Sequence, residues 1–144
     1  MKKIRILSLD GGGIRGIIPG VILDYIEKQL QVKDNSQLKI GDYFDLIAGT
    51  STGGILACAY LTPGAEGNAK YSAMDAVNLY FKEGAGIFHT DFWQKIENGF
   101  GLFKEAYNVN NLEKDLHDFF GEVNLNQLIK PSLITSYEIT AREA

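Results

Sequence analysis

Cysteine is almost absent from this sequence, and its scarcity excludes whole classes of site. Cys58 is the only cysteine among 144 residues, so neither an intrachain disulfide nor a cysteine-rich metal site can form. Because Cys58 lies in an apolar run, we expect it to be a small core residue. The two histidines, His89 and His117, form no HxH or HExxH pattern, so the sequence predicts neither a metal nor a cofactor.

Long apolar runs and clustered basic charge are also missing. No stretch approaches the roughly 20 apolar residues of a membrane-spanning helix, and Arg5 and Asp10 interrupt the apolar run that a signal peptide would need. The formal net charge is -4 at pH 7 and the basic residues are dispersed, so nucleic acid is not an expected partner. A hydrophobic content of 45% is enough for one packed core. We therefore expect a soluble, cytoplasmic, globular domain.

The most informative feature present is a pair of glycine motifs, each directly after an apolar, β-prone run. The first motif, after the run at residues 4–9, reads Asp10-Gly11-Gly12-Gly13-Ile14-Arg15-Gly16. The second, after the run at residues 44–48, reads Gly49-Thr50-Ser51-Thr52-Gly53. A GxSxG sequence between strand and helix presents its serine on a sharp turn, and a glycine-rich turn can aim backbone N–H groups at an anion. Together they predict a serine nucleophile and the oxyanion hole for its reaction.

Hydrophobic periodicity gives a coarse arrangement of elements. It predicts strands at residues 4–9, 44–48 and 132–140 and helices at residues 18–29, 52–61, 72–83 and 111–120. The Pro- and Gly-containing loop at residues 62–68 is a candidate for the edge of a mobile lid. Strands alternating with helices indicate an α/β fold with a mostly parallel sheet. A sheet that stops at its third strand keeps open edges, so we expect only the first part of a larger domain.

The two motifs, and the spacing between them, resemble those of the patatin-like phospholipases. This resemblance implies a three-layer α/β/α sandwich and the hydrolysis of lipid acyl esters without a metal. It implies Ser51 as the nucleophile, Gly49, Thr50, Thr52 and Gly53 as its elbow, and an oxyanion hole made by the residues Gly11, Gly12, Gly13, Arg15 and Gly16. In that assignment the three consecutive glycines supply the N–H donors, and Arg15 supports the loop.

One element of the family pattern is missing from this chain. The family pairs its serine with an aspartate in a later Asp-Gly-Gly or Asp-Gly-Ala motif, whereas the only Asp-Gly here is Asp10-Gly11. The aspartates that follow Ser51 lack that glycine turn and are interpreted as surface or helix-capping groups: Asp75, Asp91, Asp115 and Asp118. Residues 1–144 are therefore expected to be the N-terminal portion of one catalytic domain, inactive alone, with the catalytic aspartate in the remaining C-terminal part.

Three other functions remain open on the sequence. A Ser-His-Asp triad would need His89 or His117, and both are more simply interpreted as structural. Residues 11–16 also satisfy GxGxxG, which would suit a nucleotide or phosphate at a helix N-terminus. The ribose-binding acid expected about 20 residues later is not found at a strand end. A regulatory or binding remnant without a base is the third possibility.

The expected partners follow from the hydrolase assignment. The substrate would be a phospholipid or another acyl lipid, met at a transient membrane interface. The expected contact surface comprises the loop at residues 62–68 and residues 84–103, which include Ile87, Phe88, Phe92, Trp93, Phe100 and Phe103. The other expected partner is the C-terminal remainder of the same protein.

Overall fold

Three parallel strands form the centre of the fold. The computed structural model describes residues 3–79 and 109–136, without the side chains of residues 109–113 and 115. The strands are β1 (Ile6–Leu9), β2 (Leu46–Thr50) and β3 (Ser132–Thr135), in the order β1-β2-β3. Because all pairing is parallel, the three strands end at one edge of the sheet, which we call the carboxyl edge. Both glycine motifs follow strands and therefore lie at this edge.

The helices agree with the predicted order and differ mainly in their bounds. Helix α1 is Ile17–Asp34, α2 is Thr52–Leu61, residues 73–79 are helical, and α3 is Val109–Phe120. The predicted bounds of α2 are confirmed, whereas α1 extends five residues further and α3 begins two residues earlier. Short 3-10 turns occupy Gly13–Gly16, Ile40–Tyr43 and Leu125–Gln127. In the part of the chain that the structure describes, none of the helices has the length and apolar character needed to cross a membrane.

Strand β2 lies two residues later than predicted. The sequence predicts a strand at residues 44–48, but the paired segment is Leu46–Thr50. Asp45 precedes it, and its carboxylate accepts a hydrogen bond from the Arg5 N–H at 2.9 Å. The strand reaches into the second glycine motif, so Gly49 and Thr50 belong to the sheet. The predicted third strand is likewise observed at Ser132–Thr135, and residues 137–140 of that prediction lie outside the described residues.

Helix α2 packs on one face of the sheet and forms the centre of the core. It is apolar almost throughout, and Leu56, Tyr60 and Leu61 are at most 1% exposed. On the strands beneath it, Ile47 is fully buried and Leu9 is 5% exposed. Because side chains alternate between the two faces of a strand, Ile6 and Leu133 point to the other face. They are 62% and 56% exposed, so no element within residues 3–79 and 109–136 covers them.

Helix α1 directs an unexpected set of residues inward. Its buried face comprises Gly20, Leu23, Asp24 and Glu27. The apolar residues whose spacing predicts the helix point outward instead: Ile18 (61% exposed), Val21 (46%), Ile22 (54%) and Tyr25 (65%). A buried carboxylate pair and an exposed apolar stripe on one helix are the reverse of the usual amphipathic pattern. Both features matter for the function proposed below.

The loop at residues 62–68 does not lie beside Ser51. It closes into a hairpin through the Pro63 and Ala69 bridge, and the Ala69 N–H donates to the Asp42 carboxylate at 2.9 Å. Asp42 precedes β2, so this contact lies where the strands begin, which we call the amino edge of the sheet. The full ten-residue length of α2, about 15 Å, separates the hairpin from Ser51. This position does not suit a lid over the serine, so that interpretation is wrong.

Candidate active site

Ser51 occupies a strained turn between β2 and α2. Its backbone angles are φ 53 and ψ -124, a region that costs a non-glycine residue roughly 1 to 3 kcal/mol. The side chain makes no capping hydrogen bond to the start of α2, and the residue is exposed. A hydroxyl in this position faces the solvent at the carboxyl edge, beside the positive end of the α2 dipole. The geometry is that of a nucleophile elbow.

The turn is possible because backbones approach one another at two glycines. A methyl group placed on Gly49 would come within 2.3 Å of the Gly53 carbonyl oxygen. A methyl group on Gly53 would come within 2.2 Å of the Leu9 carbonyl oxygen. Neither contact could be relieved by moving a side chain. The first turn of α2 is thus wedged between the ends of β1 and β2, where only glycine fits.

A third glycine brings the two sequence motifs together. A methyl group on Gly11 would lie 2.9 Å from the Ser51 Cβ and 2.9 Å from the Thr50 carbonyl oxygen. The first glycine motif therefore lies directly against the serine of the second, although 40 residues separate them. The register of Leu9 with Gly49 explains this contact, because the loop that follows β1 runs beside Thr50 and Ser51 at the end of β2.

Beyond Gly11 the first motif forms a tight turn. The Gly12 N–H donates to the Thr52 hydroxyl at 3.2 Å, and the Arg15 N–H donates to the Gly12 carbonyl at 3.1 Å. Gly13 adopts a left-handed conformation with φ 60, which glycine tolerates best. Gly16, directly before α1, is buried. Of the predicted oxyanion donors, Gly12 thus already has a hydroxyl as its partner.

The aspartates and histidines that follow Ser51 in the sequence are hydrogen-bonded in other places, exposed on a helix, or outside the described residues. The Asp75 carboxylate accepts from the Ser72 N–H and hydroxyl at 2.9 and 2.8 Å, which confirms it as a helix cap. His117 is exposed on α3 and lies 3.6 Å from Glu122. Asp118 is exposed on the same helix. His89 and Asp91 lie outside the described residues, as does the side chain of Asp115.

The dinucleotide alternative gains no support from the neighbouring strand. In a dinucleotide site an acidic residue follows the adjacent strand and binds a ribose. Strand β2, the neighbour of β1, ends instead at Thr50 and is followed by Ser51. Among residues 3–79 and 109–136, no group of three or more His, Cys, Asp or Glu side chains is arranged to hold a metal ion. Cys58, inside α2, is half-buried, and burial raises the pKa of its thiol.

Sequence reasoning did not identify Glu27, which organises the core behind the site. This α1 residue is 3% exposed, and its carboxylate accepts hydrogen bonds from the N–H groups of Ile40 at 2.6 Å and Ala73 at 3.1 Å. Burial raises the pKa of Glu27; the two N–H donors and Lys39 oppose that rise, and nearby Asp24 adds to it. One side chain thus connects α1, the turn before β2 and the helix at residues 73–79.

Comparison with known proteins agrees with this geometry. A family model described as "Patatin-like phospholipase" matches residues 7–143. The chain is 42% identical over 137 residues to Patatin-like protein 4 of Arabidopsis thaliana, which covers 94% of this chain and 34% of that protein. It is 39% identical over 139 residues to Patatin-03 of Solanum tuberosum, with 96% and 34% covered. The chain thus spans about a third of the length of these curated relatives.

Proposed function

Since this chain belongs to the patatin-like phospholipase family, we propose that it is the N-terminal part of a lipid acyl hydrolase with Ser51 as the nucleophile. The observation that carries this proposal is the contact between the two motifs. Gly11 leaves no room for a side chain against Ser51, so the glycine loop lies beside the position that the acyl oxygen would take during attack. A strained, exposed serine beside such a loop has the arrangement that acyl transfer requires.

The reaction would proceed in two halves. The Ser51 hydroxyl oxygen attacks the acyl carbonyl carbon, and its proton passes to an aspartate carboxylate. Backbone N–H groups of the loop at residues 11–16 stabilise the negative charge that forms on the carbonyl oxygen. The ester C–O bond then breaks, the alcohol leaves with the proton, and the acyl group remains on Ser51. Water completes the second half in the same way, releasing the fatty acid and restoring the serine.

The base in this mechanism is an aspartate outside these 144 residues. Asp75 is engaged as a helix cap, and Asp42 accepts from the N–H groups of Lys39 and Ala69. Asp24 and Glu27 are buried on the inner face of α1, where Asp24 pairs with Lys28 and Glu27 accepts from the N–H groups of Ile40 and Ala73. An Asp-Gly turn at the end of a further strand would aim a carboxylate at the carboxyl edge. The relatives are about three times as long as this chain, which leaves room for such a strand.

The uncovered sheet face is the proposed contact for that remainder. Parallel sheets are normally covered on both faces, but Ile6 and Leu133 are more than half exposed on the face opposite α2. The outer stripe of α1, with Ile18 and Tyr25 each more than 60% exposed, is a second apolar surface. We assign both to the part of the domain that the longer relatives have and this chain lacks. It would supply the third layer of the sandwich.

Residues 1–144 expressed alone should therefore aggregate and show no esterase activity. Exposed apolar surface on this scale favours association, and a serine without its base loses several orders of magnitude in rate. Co-expression with the C-terminal two-thirds should restore a soluble, active protein. The measurements are size-exclusion chromatography and p-nitrophenyl ester hydrolysis. A monomeric fragment that hydrolyses the ester through Ser51 would place the base within this chain and contradict the proposal.

A serine-directed fluorophosphonate tests the nucleophile assignment itself. In the whole protein we expect one covalent adduct, on Ser51, because its hydroxyl is exposed on a strained turn beside oxyanion donors. Peptide mass spectrometry locates the adduct, and the loss of phospholipid hydrolysis should follow the extent of labelling. Modification of another serine, or active protein without any adduct, would reject Ser51.

The proposed substrate is a phospholipid or another acyl lipid at a transient membrane interface. Of the two segments predicted to contact the membrane, residues 84–103 lie outside the described residues. The hairpin at residues 62–68 lies at the amino edge of the sheet, away from Ser51. We therefore propose that contact near the active site is made without this hairpin.

A further inference from the structure

The hydrogen bond between the two glycine motifs suggests a specific task for Thr52. The Gly12 N–H donates to the Thr52 hydroxyl oxygen at 3.2 Å. Thr52 directly follows the nucleophile, begins α2 and is only 4% exposed. This side-chain hydrogen bond joins the proposed oxyanion loop to the nucleophile elbow, and it lies next to Ser51.

The acceptor in this bond is firmly placed. Thr52 is buried, and a β-branched side chain has few rotamers available to it. The next residue, Gly53, is fixed by the Leu9 carbonyl oxygen, which a methyl group on Gly53 would approach to 2.2 Å. The donor is less constrained, because a methyl group on Gly12 would meet only the Arg15 Cβ, at 3.6 Å. The Thr52 hydroxyl therefore restrains the looser partner.

We propose that Thr52 is a positioning residue whose hydroxyl holds Gly12 so that Gly13 presents the oxyanion donor. This inference rests on the proposed function. The Gly12 N–H is already directed at Thr52, and Gly13 follows it in a left-handed conformation, φ 60, that turns the chain at this point. Fixing one peptide of the turn fixes the orientation of the next. Preorganised donors are effective because they need no reorganisation when charge develops.

A competing interpretation gives the opposite kinetic result. The Thr52 hydroxyl could occupy the oxyanion position only while the site is empty and be displaced by the substrate carbonyl. In that case it would compete with the substrate for the Gly12 N–H. Removing it would then leave the rate unchanged or increase it.

The test compares Thr52→Val with Thr52→Ser in the whole protein. Valine keeps the shape and removes the hydroxyl, whereas serine keeps the hydroxyl and removes the methyl group. We expect Thr52→Val to lower kcat by about 10-fold or more, somewhat less than the loss of a whole oxyanion donor, with KM changed by less than about threefold. Thr52→Ser should stay within about threefold of the parent. The rate of fluorophosphonate labelling should fall in parallel with kcat, because that reaction also passes through an oxyanion.

Three outcomes would overturn the assignment to Thr52. A Thr52→Val protein with unchanged or higher kcat supports displacement by substrate. A loss in Thr52→Ser that equals or exceeds the loss in Thr52→Val shows that the side chain acts through packing and not through its hydroxyl. A rise in KM alone indicates a contact with bound substrate. Urea unfolding of both variants checks that the fold is intact. If the parent protein is neither labelled at Ser51 nor active, the proposed function fails, and that result is distinct from any effect of Thr52.

Discussion

Ser51→Gly should be inactive and yet more stable than Ser51→Ala. Loss of the nucleophile in a catalytic unit typically costs about 10⁴-fold or more in kcat, so both variants should lose ester hydrolysis. In an ordinary strand or helix, alanine is more stable than glycine by roughly 0.5 to 1 kcal/mol. At Ser51 the order should reverse, because φ is 53 and a Cβ is strained there while glycine is not.

Urea unfolding of the two variants measures this reversal, and Ser8 offers a matched control. Ser8 is an exposed residue within β1, where Ser8→Ala should be more stable than Ser8→Gly. We expect Ser51→Gly to exceed Ser51→Ala by about 1 kcal/mol in the free energy of unfolding. The same order at both positions would show that the elbow stores no strain, and a Ser51→Ala protein that still hydrolyses esters would remove the nucleophile assignment.

Glu27→Ala should strongly destabilise the described core. It would leave the N–H groups of Ile40 and Ala73 buried without their acceptor. Each such group costs roughly 1 to 3 kcal/mol, so we expect a loss of about 2 to 6 kcal/mol from a domain of roughly 5 to 15 kcal/mol. Glu27→Gln keeps a carbonyl oxygen for both donors and should lose much less. Urea unfolding of the whole protein at pH 7 compares them, and equal losses would show that the two hydrogen bonds contribute nothing.

The pH dependence of unfolding in the parent and in Glu27→Gln isolates the effect of the carboxylate charge on stability. Burial raises the folded-state pKa of Glu27, so the carboxyl group favours folding most below its unfolded pKa. That contribution is lost as the pH rises through the folded pKa. Stability of the parent relative to Glu27→Gln should therefore fall from acidic to neutral pH. A difference that is constant with pH, or that grows as the pH rises, would contradict a raised pKa.

The position of the candidate site could be predicted from the sequence because its signals are local. An apolar run, a glycine turn and a second apolar run specify a strand, an elbow and a helix without reference to the rest of the chain. The bounds of α2 followed from an apolar run that ends at Thr62 and Pro63. Strand β2 was placed two residues early, because hydrophobicity favours Phe44 whereas pairing with β1 begins at Leu46.

Features that depend on distant contacts could not be found in this way. Glu27 lies in a helix beside Asp24 and Lys28, a pattern that normally indicates a solvated face. Its burial depends on the N–H group of Ala73, 46 residues away. The outward stripe of α1 was also ambiguous, because periodicity shows that residues share a face but not which way the face points. The Gly12 to Thr52 hydrogen bond spans 40 residues and has no local signature.

The three glycine contacts at the elbow also bear on how the proposed hydrolase could move during turnover. Gly11, Gly49 and Gly53 each lie closer to neighbouring backbone than any side chain would allow. Packed interiors do not deform gradually, so the serine and the start of the oxyanion loop form a single rigid body. In the proposed hydrolase, movement during the catalytic cycle would be confined to the parts that bring the lipid and the proposed aspartate to that body. Evolution toward substrates with other acyl chains would then change those movable parts and leave the elbow unchanged.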